Sequence, residues 1–214
     1  MKKNRDRLLK IFQKMYDHFG PLNWWPGDSP FEIMIGAILT QNTSWTNVER
    51  AIENLKRENL LDPYKLLSLP DERLRELIRP SGFFNVKTKR LKNFLNFFIS
   101  EYEGNVEKMK KESLWLLRKK LLDVDGIGKE TADSILLYAL EKPIFVVDAY
   151  TKRIFGRHNI IPPTIDYDEI QKFFMKNLPE DVGLYNEYHA QIVLTGKTYC
   201  KKKPLCDNCP LRGV

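Results

Sequence analysis

Apolar residues recur every three to four positions along most of the chain, the spacing of a helix with one buried face. Phe31, Ile35, Ile38 and Leu39 mark one such face, and Leu114, Leu117, Leu121 and Leu122 a second. Ala132, Ile135, Leu136 and Ala139 mark a third. The pattern predicts helices over 5–19, 30–39, 46–58, 63–68, 71–78, 85–101, 113–122, 131–140, 149–155, 167–177 and 182–195. Breakers separate them at Gly20-Pro21, Pro80-Ser81-Gly82, Pro162-Pro163 and Pro179. No alternating run is long enough for a sheet, and no internal repeat or low-complexity tract interrupts the series. The expected fold class is therefore all-α.

Two places in this helical series carry more than packing information. Between the helices predicted over 113–122 and 131–140 lie Gly126 and Gly128. Glycine permits positive φ and close backbone approach. A helix beginning at such a turn presents amide groups that have no partner within the helix, and its dipole favours an anion there. A phosphate fits that position. An ordinary αα-hairpin closed by glycines fits the same residues. Further on, the apolar run Pro143 to Val147 ends at Asp148, ahead of another helix. Asp148 has the place of an N-cap, where its side chain accepts backbone amides. A carboxylate fixed in that way can also face a developing positive charge. Glycosidic cleavage passes through such an oxocarbenium-like state, and the same acid can help to activate water.

With these motifs the chain resembles the helix-hairpin-helix DNA glycosylases of the endonuclease III superfamily. The resemblance runs from about Phe12 to Leu211, and its anchors are Leu39-Thr40-Gln41-Asn42-Thr43, Gly126-Ile127-Gly128, Val147-Asp148 and the terminal cysteines. It implies a two-domain helix-hairpin-helix glycosylase fold. Residues 27–141 would form a six-helix barrel domain that ends in the hairpin. Residues 1–26 and 142–214 would form a second helical domain with a cysteine-rich C-terminal loop. The substrate cleft would lie between the domains. The resemblance also makes Asp148 the catalytic acid and gives Gly126, Gly128 and the neighbouring Lys129 to DNA binding. It places Gln41 where a residue enters the space left by a flipped nucleotide.

Bifunctional members carry a lysine two residues after the second hairpin glycine, which attacks the sugar and forms a Schiff base. Here that position is Glu130, and a carboxylate forms no imine. Lys129 lies one residue early, about 100° away around a helix. A monofunctional enzyme is expected, with water as the nucleophile. Trp24-Trp25-Pro26, Trp45 and Arg79-Pro80-Ser81-Gly82-Phe83 are similar to the 3-methyladenine glycosylase branch of the superfamily. That similarity implies that Trp25 and Trp45 stack on the damaged base. Aromatic rings suit flipped, electron-poor bases, although tryptophans most often serve packing. Alkylated purines are the expected substrate class. The alternatives are a bifunctional endonuclease III-type glycosylase and lyase acting on oxidised pyrimidines, or a non-catalytic helix-hairpin-helix DNA-binding protein.

All three cysteines, Cys200, Cys206 and Cys209, fall in the last fifteen residues. That clustering argues for metal ligation and against a disulfide framework. The resemblance implies a C-terminal [4Fe-4S] cluster, whose fourth cysteine would fall at residue 215, beyond Val214. Such clusters take four protein ligands; zinc with three cysteines and a histidine lacks a nearby histidine. The implied role is structural: to hold Lys201, Lys202 and Lys203 against DNA phosphates.

The formal net charge is +7, from 35 basic and 28 acidic residues. A modest excess of this sign suits a polyanionic partner. Basic clusters occur at Lys87-Thr88-Lys89-Arg90, Lys108 to Lys111, Arg118-Lys119-Lys120 and Lys201 to Lys203. Phosphate contacts of this kind supply affinity without sequence choice. Hydrophobic content of 43% supports a core. No run of eighteen apolar residues suggests a membrane span, and no apolar signal core follows the charged N-terminus. The expected setting is a monomer in the reducing cytoplasm (nucleoid-associated in a bacterium), with damaged double-stranded DNA as partner.

Overall fold

A computed structural model describes residues 2–22, 24, 27–162 and 164–214, with Lys2 by its backbone alone. Every regular element among these residues is helical. The chain divides into two compact units, one made of Met1–Trp24 with Pro143–Val214 and the other of Trp25–Lys142.

The second of these units is built around α2 (Pro30–Leu39). Ser29 caps its first turn by accepting from the Glu32 amide at 3.2 Å, and Pro30 takes the position where no N–H is needed. The expected one-sided face is in fact an all-round one: Phe31 to Gly36, Ile38 and Leu39 are all buried. A helix apolar on every side is a core helix, and α3 (Trp45–Arg57) and α6 (Phe84–Tyr102) pack against it. Around these lie α4 (Pro63–Ser68), α5 (Asp71–Ile78), a 3-10 turn (Arg79–Ser81), α7 (Val106–Lys110) and α8 (Leu114–Leu122). The unit closes with α9 (Lys129–Ser134), which runs on as a π-helical turn (Ile135–Ala139) against α2.

In the first-named unit, α1 (Lys2–Phe19) packs on α11 (Tyr167–Asn177) and α12 (Val182–Thr198), and α10 (Ala149–Arg157) packs on α12. Phe145, Phe155, Phe174, Tyr185 and Tyr188 fill its core. The Phe145 and Phe174 rings stack at 4.2 Å. The buried Tyr188 hydroxyl donates to the Leu8 carbonyl at 2.8 Å and ties α1 to α12.

Several local expectations need correction. Short α7 was not anticipated; its five residues had been read only as part of a basic cluster. Of the four leucines assigned to one face of α8, only Leu117 and Leu121 are buried. Lys87, grouped with candidate phosphate contacts, is 1% exposed. Its ammonium donates to the carbonyls of Leu39 at 2.8 Å and Ser81 at 2.6 Å. Two other basic clusters also have members engaged within the protein: Lys108 with Glu103, Lys110 with Glu141, Arg118 with Asp133 and Lys120 with Glu112.

Candidate functional site

The hairpin is shaped by one of its two glycines. Gly126 has φ +97°, and a Cβ there would overlap the Arg90 side chain. Gly128 has φ −89° and ψ 175°, an ordinary extended conformation, so positive φ is needed at Gly126 alone. A Cβ at Gly128 would meet nothing within 4 Å. Gly128, Lys129 and Glu130 are all exposed at the opening turn of α9. An exposed glycine turn at a helix start is the arrangement that suits a phosphate.

Gln41 reaches this hairpin from the turn after α2. Its amide nitrogen donates to the Gly126 carbonyl at 3.1 Å and to the Thr131 hydroxyl at 2.9 Å. Arg90 donates to its oxygen. The Gln41 side chain is therefore a clasp between α2 and the hairpin, engaged at both its donor and its acceptor ends. Trp45, the first residue of α3, is half-buried, and the edge of its six-membered ring lies on Gly36 of α2. Trp25, its expected companion, lies outside the described residues, as does Pro26.

Asp148 stands at the N-terminus of α10 in the other unit and is 7% exposed. Its Oδ1 accepts from the Thr151 amide at 2.7 Å and the Thr151 hydroxyl at 2.8 Å. The Thr151 hydroxyl is also 3.4 Å from the Asp148 amide, which completes a reciprocal capping box. Oδ2 points the other way, with His189 Nε2 of α12 at 3.7 Å. That separation suits charge pairing and is too long for a direct hydrogen bond. Burial works to raise the Asp148 pKa, but His189 and the two bonds from Thr151 outweigh it. The carboxyl is held below its ordinary range.

Glycine sets this site as well. Gly196 lies seven residues after His189 on α12, two helical turns along the same face. A Cβ at Gly196 would overlap the Tyr150 ring, so its absence lets the start of α10 sit directly on α12. Arg153 covers the other side of Tyr150, with its guanidinium 4.9 Å from the ring centroid.

These two constellations, an exposed glycine turn at a helix start and a buried capped aspartate, match the sequence likeness to known proteins. Residues 35–180 match the HhH-GPD superfamily, described as base excision DNA repair proteins. The chain belongs to that superfamily. It is 54% identical to a Methanocaldococcus jannaschii protein whose name proposes a DNA repair glycosylase, over 99% of this chain and 97% of that one. Endonuclease III of Thermotoga maritima is 31% identical over 86% of this chain and 81% of its own. A solved H. pylori 3-methyladenine DNA glycosylase bound to 1,N6-ethenoadenine shares the fold with a TM-score of 0.77 and 33% identity. The match covers 89% of this chain and 97% of that one.

As a superfamily member the protein is a DNA repair glycosylase that binds DNA, with an all-α helix-hairpin-helix fold. No described helix is long and apolar enough to cross a membrane. Its terminal loop brings the three cysteines into one neighbourhood. Cys200 is buried, and Cys206 and Cys209 are linked by a turn bond of 3.2 Å between the Cys209 amide and the Cys206 carbonyl. Burial raises the Cys209 thiol pKa, and the other two thiols add to that rise. Arg157 donates to Cys200 Sγ at 3.2 Å and to the Lys201 and Lys202 carbonyls at 2.6 and 3.1 Å. Arg153 donates to the Cys200 carbonyl at 2.6 Å. Three thiols are fewer than the four ligands an iron–sulfur cluster takes. Among the described residues no three metal-ligating side chains converge on one point. Lys201, Lys202 and Lys203 are exposed on this loop.

Proposed function

We propose that this glycosylase is monofunctional and hydrolyses the N-glycosidic bond of alkylated purines such as 3-methyladenine. One observation carries the reading: Asp148 is a buried carboxylate, held ionised, with Oδ1 consumed by its cap and Oδ2 left to act. An anion fixed in a poorly solvated place stabilises positive charge on a sugar without having to reorganise. The bond to the base breaks with its electron pair leaving on the base. Water then forms the new bond at C1′ and gives up its proton, with Asp148 as acceptor. A carboxylate, Glu130, stands where a lysine would be needed for an imine, and this favours water over an amine nucleophile.

In the same reading the amides at Gly126 to Lys129 hold a phosphate, and Lys201 to Lys203 add charge along the strand. Gln41 exchanges its bonds to Gly126, Thr131 and Arg90 for the partner base left unpaired after flipping. Trp45, with Trp25, stacks on the damaged base; the likeness to the H. pylori 3-methyladenine glycosylase supports this. Cys200, Cys206 and Cys209 are proposed as three of the ligands of a [4Fe-4S] cluster that would brace the terminal loop, which iron and sulfide analysis of the purified protein tests. A second reading, combined glycosylase and lyase action on oxidised pyrimidines, draws on the likeness to Thermotoga maritima Endonuclease III and on the exposed Lys129.

Duplexes carrying 3-methyladenine, thymine glycol or an abasic site separate these readings. Release of free 3-methyladenine, with the strand cut only after alkali, is the expected outcome. Release of thymine glycol with direct strand cleavage would favour the second reading. Tight binding without release of any base would remove the catalytic one.

A further inference from the structure

The mechanism above uses Asp148 but leaves the group opposite it without a role. His189 is 8% exposed, and its Nε2 faces Asp148 Oδ2 at 3.7 Å. Its ring is braced by Trp24, which stacks on it with centroids 6.3 Å apart and an interplanar angle of 26°. Lys197 in turn stands over Trp24, with Nζ 6.0 Å from the ring centroid. All four groups belong to one compact unit. The imidazole is thus oriented by packing and directed at the one oxygen of Asp148 that the cap does not use.

We propose that His189 is a positioning residue for Asp148: its imidazole holds Oδ2 oriented and charged while the sugar gains positive charge. This rests on the assignment of Asp148 as the acting carboxylate. A buried carboxylate is penalised for being charged, and the imidazole joins the Thr151 bonds in offsetting the penalty. Thr151 cannot do this for Oδ2, because both its bonds go to Oδ1. Asp148 from the start of α10 faces the imidazole, and Lys197 from its own helix stands across Trp24. Glu187, on the same helix, is engaged with the Leu22 amide at 3.0 Å and with Gln191 at 2.7 Å. Asp148 is the carboxylate found within 4 Å of the imidazole nitrogen.

Two measurements on the full chain test this. The first needs no substrate: the Asp148 carboxyl is followed by 13C NMR in the wild type and in His189→Leu. The expected result is that it titrates at higher pH in the variant; an unchanged titration overturns the proposal. The second is single-turnover base release against pH from a 3-methyladenine duplex, for the wild type, His189→Leu, His189→Gln and Asp148→Asn. Binding to a duplex with a tetrahydrofuran abasic analogue is measured in parallel. Expected are about a 10- to 100-fold slower release in His189→Leu, partial rescue by His189→Gln and binding within about twofold of wild type. Wild-type rate and profile in both His189 variants, with Asp148→Asn inactive, would overturn the role of His189 alone. Undiminished release by Asp148→Asn would overturn the assignment of Asp148 beneath it. If His189→Leu does not fold, His189→Gln is used for both measurements, with the same directions expected.

Discussion

Each compact unit buries one aspartate, and the two are dealt with in different ways. Asp133, in α9, is 0% exposed and receives a two-pronged contact from Arg118, with Nε to Oδ1 at 2.7 Å and Nη2 to Oδ2 at 3.1 Å. A planar guanidinium matched to a carboxylate engages both oxygens. Asp148 is buried almost as fully, yet its cap takes one oxygen only, and the other faces an imidazole beyond hydrogen-bond distance. Burial therefore does not distinguish a structural carboxylate from an acting one. What distinguishes them is how the second oxygen is engaged. Asp133 joins α9 to α8, whereas Asp148, the proposed acting carboxylate, leaves Oδ2 outside its cap.

The largest expected effect falls on the acting carboxylate. Asp148→Asn keeps a side chain able to cap α10 but removes the charge, so single-turnover base release should fall by about 100- to 1000-fold or more. Its melting temperature and its affinity for abasic-analogue DNA should stay close to wild type. A similar loss of stability and of activity would make Asp148 structural, like Asp133.

Asp133→Asn should do the reverse. Breaking a buried ion pair by removing one partner costs about 3–5 kcal/mol, read as a lower urea midpoint, with base release per folded molecule near normal. Arg118→Met combined with Asp133→Leu should recover much of that loss, because no buried charge is then stranded.

The two glycines that allow close approach provide a smaller and matched pair of tests. Gly126→Ala meets a left-handed backbone and the Arg90 side chain, and Gly196→Ala meets the Tyr150 ring. Each should cost about 1–3 kcal/mol. Beyond that loss, Gly126→Ala should weaken DNA binding, and Gly196→Ala should slow base release by shifting Asp148 from His189.

The smallest effect concerns Lys87, whose pKa burial lowers to about 8, with Arg90 adding repulsion. The unfolded lysine keeps its proton up to its ordinary value near 10.5. Between those values the unfolded chain binds more protons, so stability rises with pH there. Against Lys87→Met, the wild type should gain urea stability from about pH 8 to pH 10; a parallel pair of curves would contradict the burial of a charged amine.

The sequence displayed the helical framework well wherever a cap or breaker agreed with the apolar spacing. The predicted spans 30–39, 63–68, 71–78 and 167–177 coincide with α2, α4, α5 and α11. Ser29 or Asp62 followed by proline, and Asp166 followed by Glu169, state their helix starts locally. Helix α7 was hidden because five residues with a single buried position, Met109, give no periodicity to read. The cap of Asp148 was also legible, since it depends on Thr151 three residues on. Its pairing with His189 was not, because forty-one residues separate them in the chain. His189 sits in the sequence beside Tyr185, Asn186 and Tyr188, with no local pattern to set it apart. Lys87 misled for a related reason: the sequence shows a charge, and only the fold shows two carbonyls waiting for it.

The central claim is that a fixed carboxylate, and no lysine, carries the sugar through cleavage. Sodium borohydride trapping on a 3-methyladenine duplex tests it most directly. Free base, an alkali-labile strand and no protein–DNA adduct are the expected result. A borohydride-stable adduct that disappears in Lys129→Gln would contradict it.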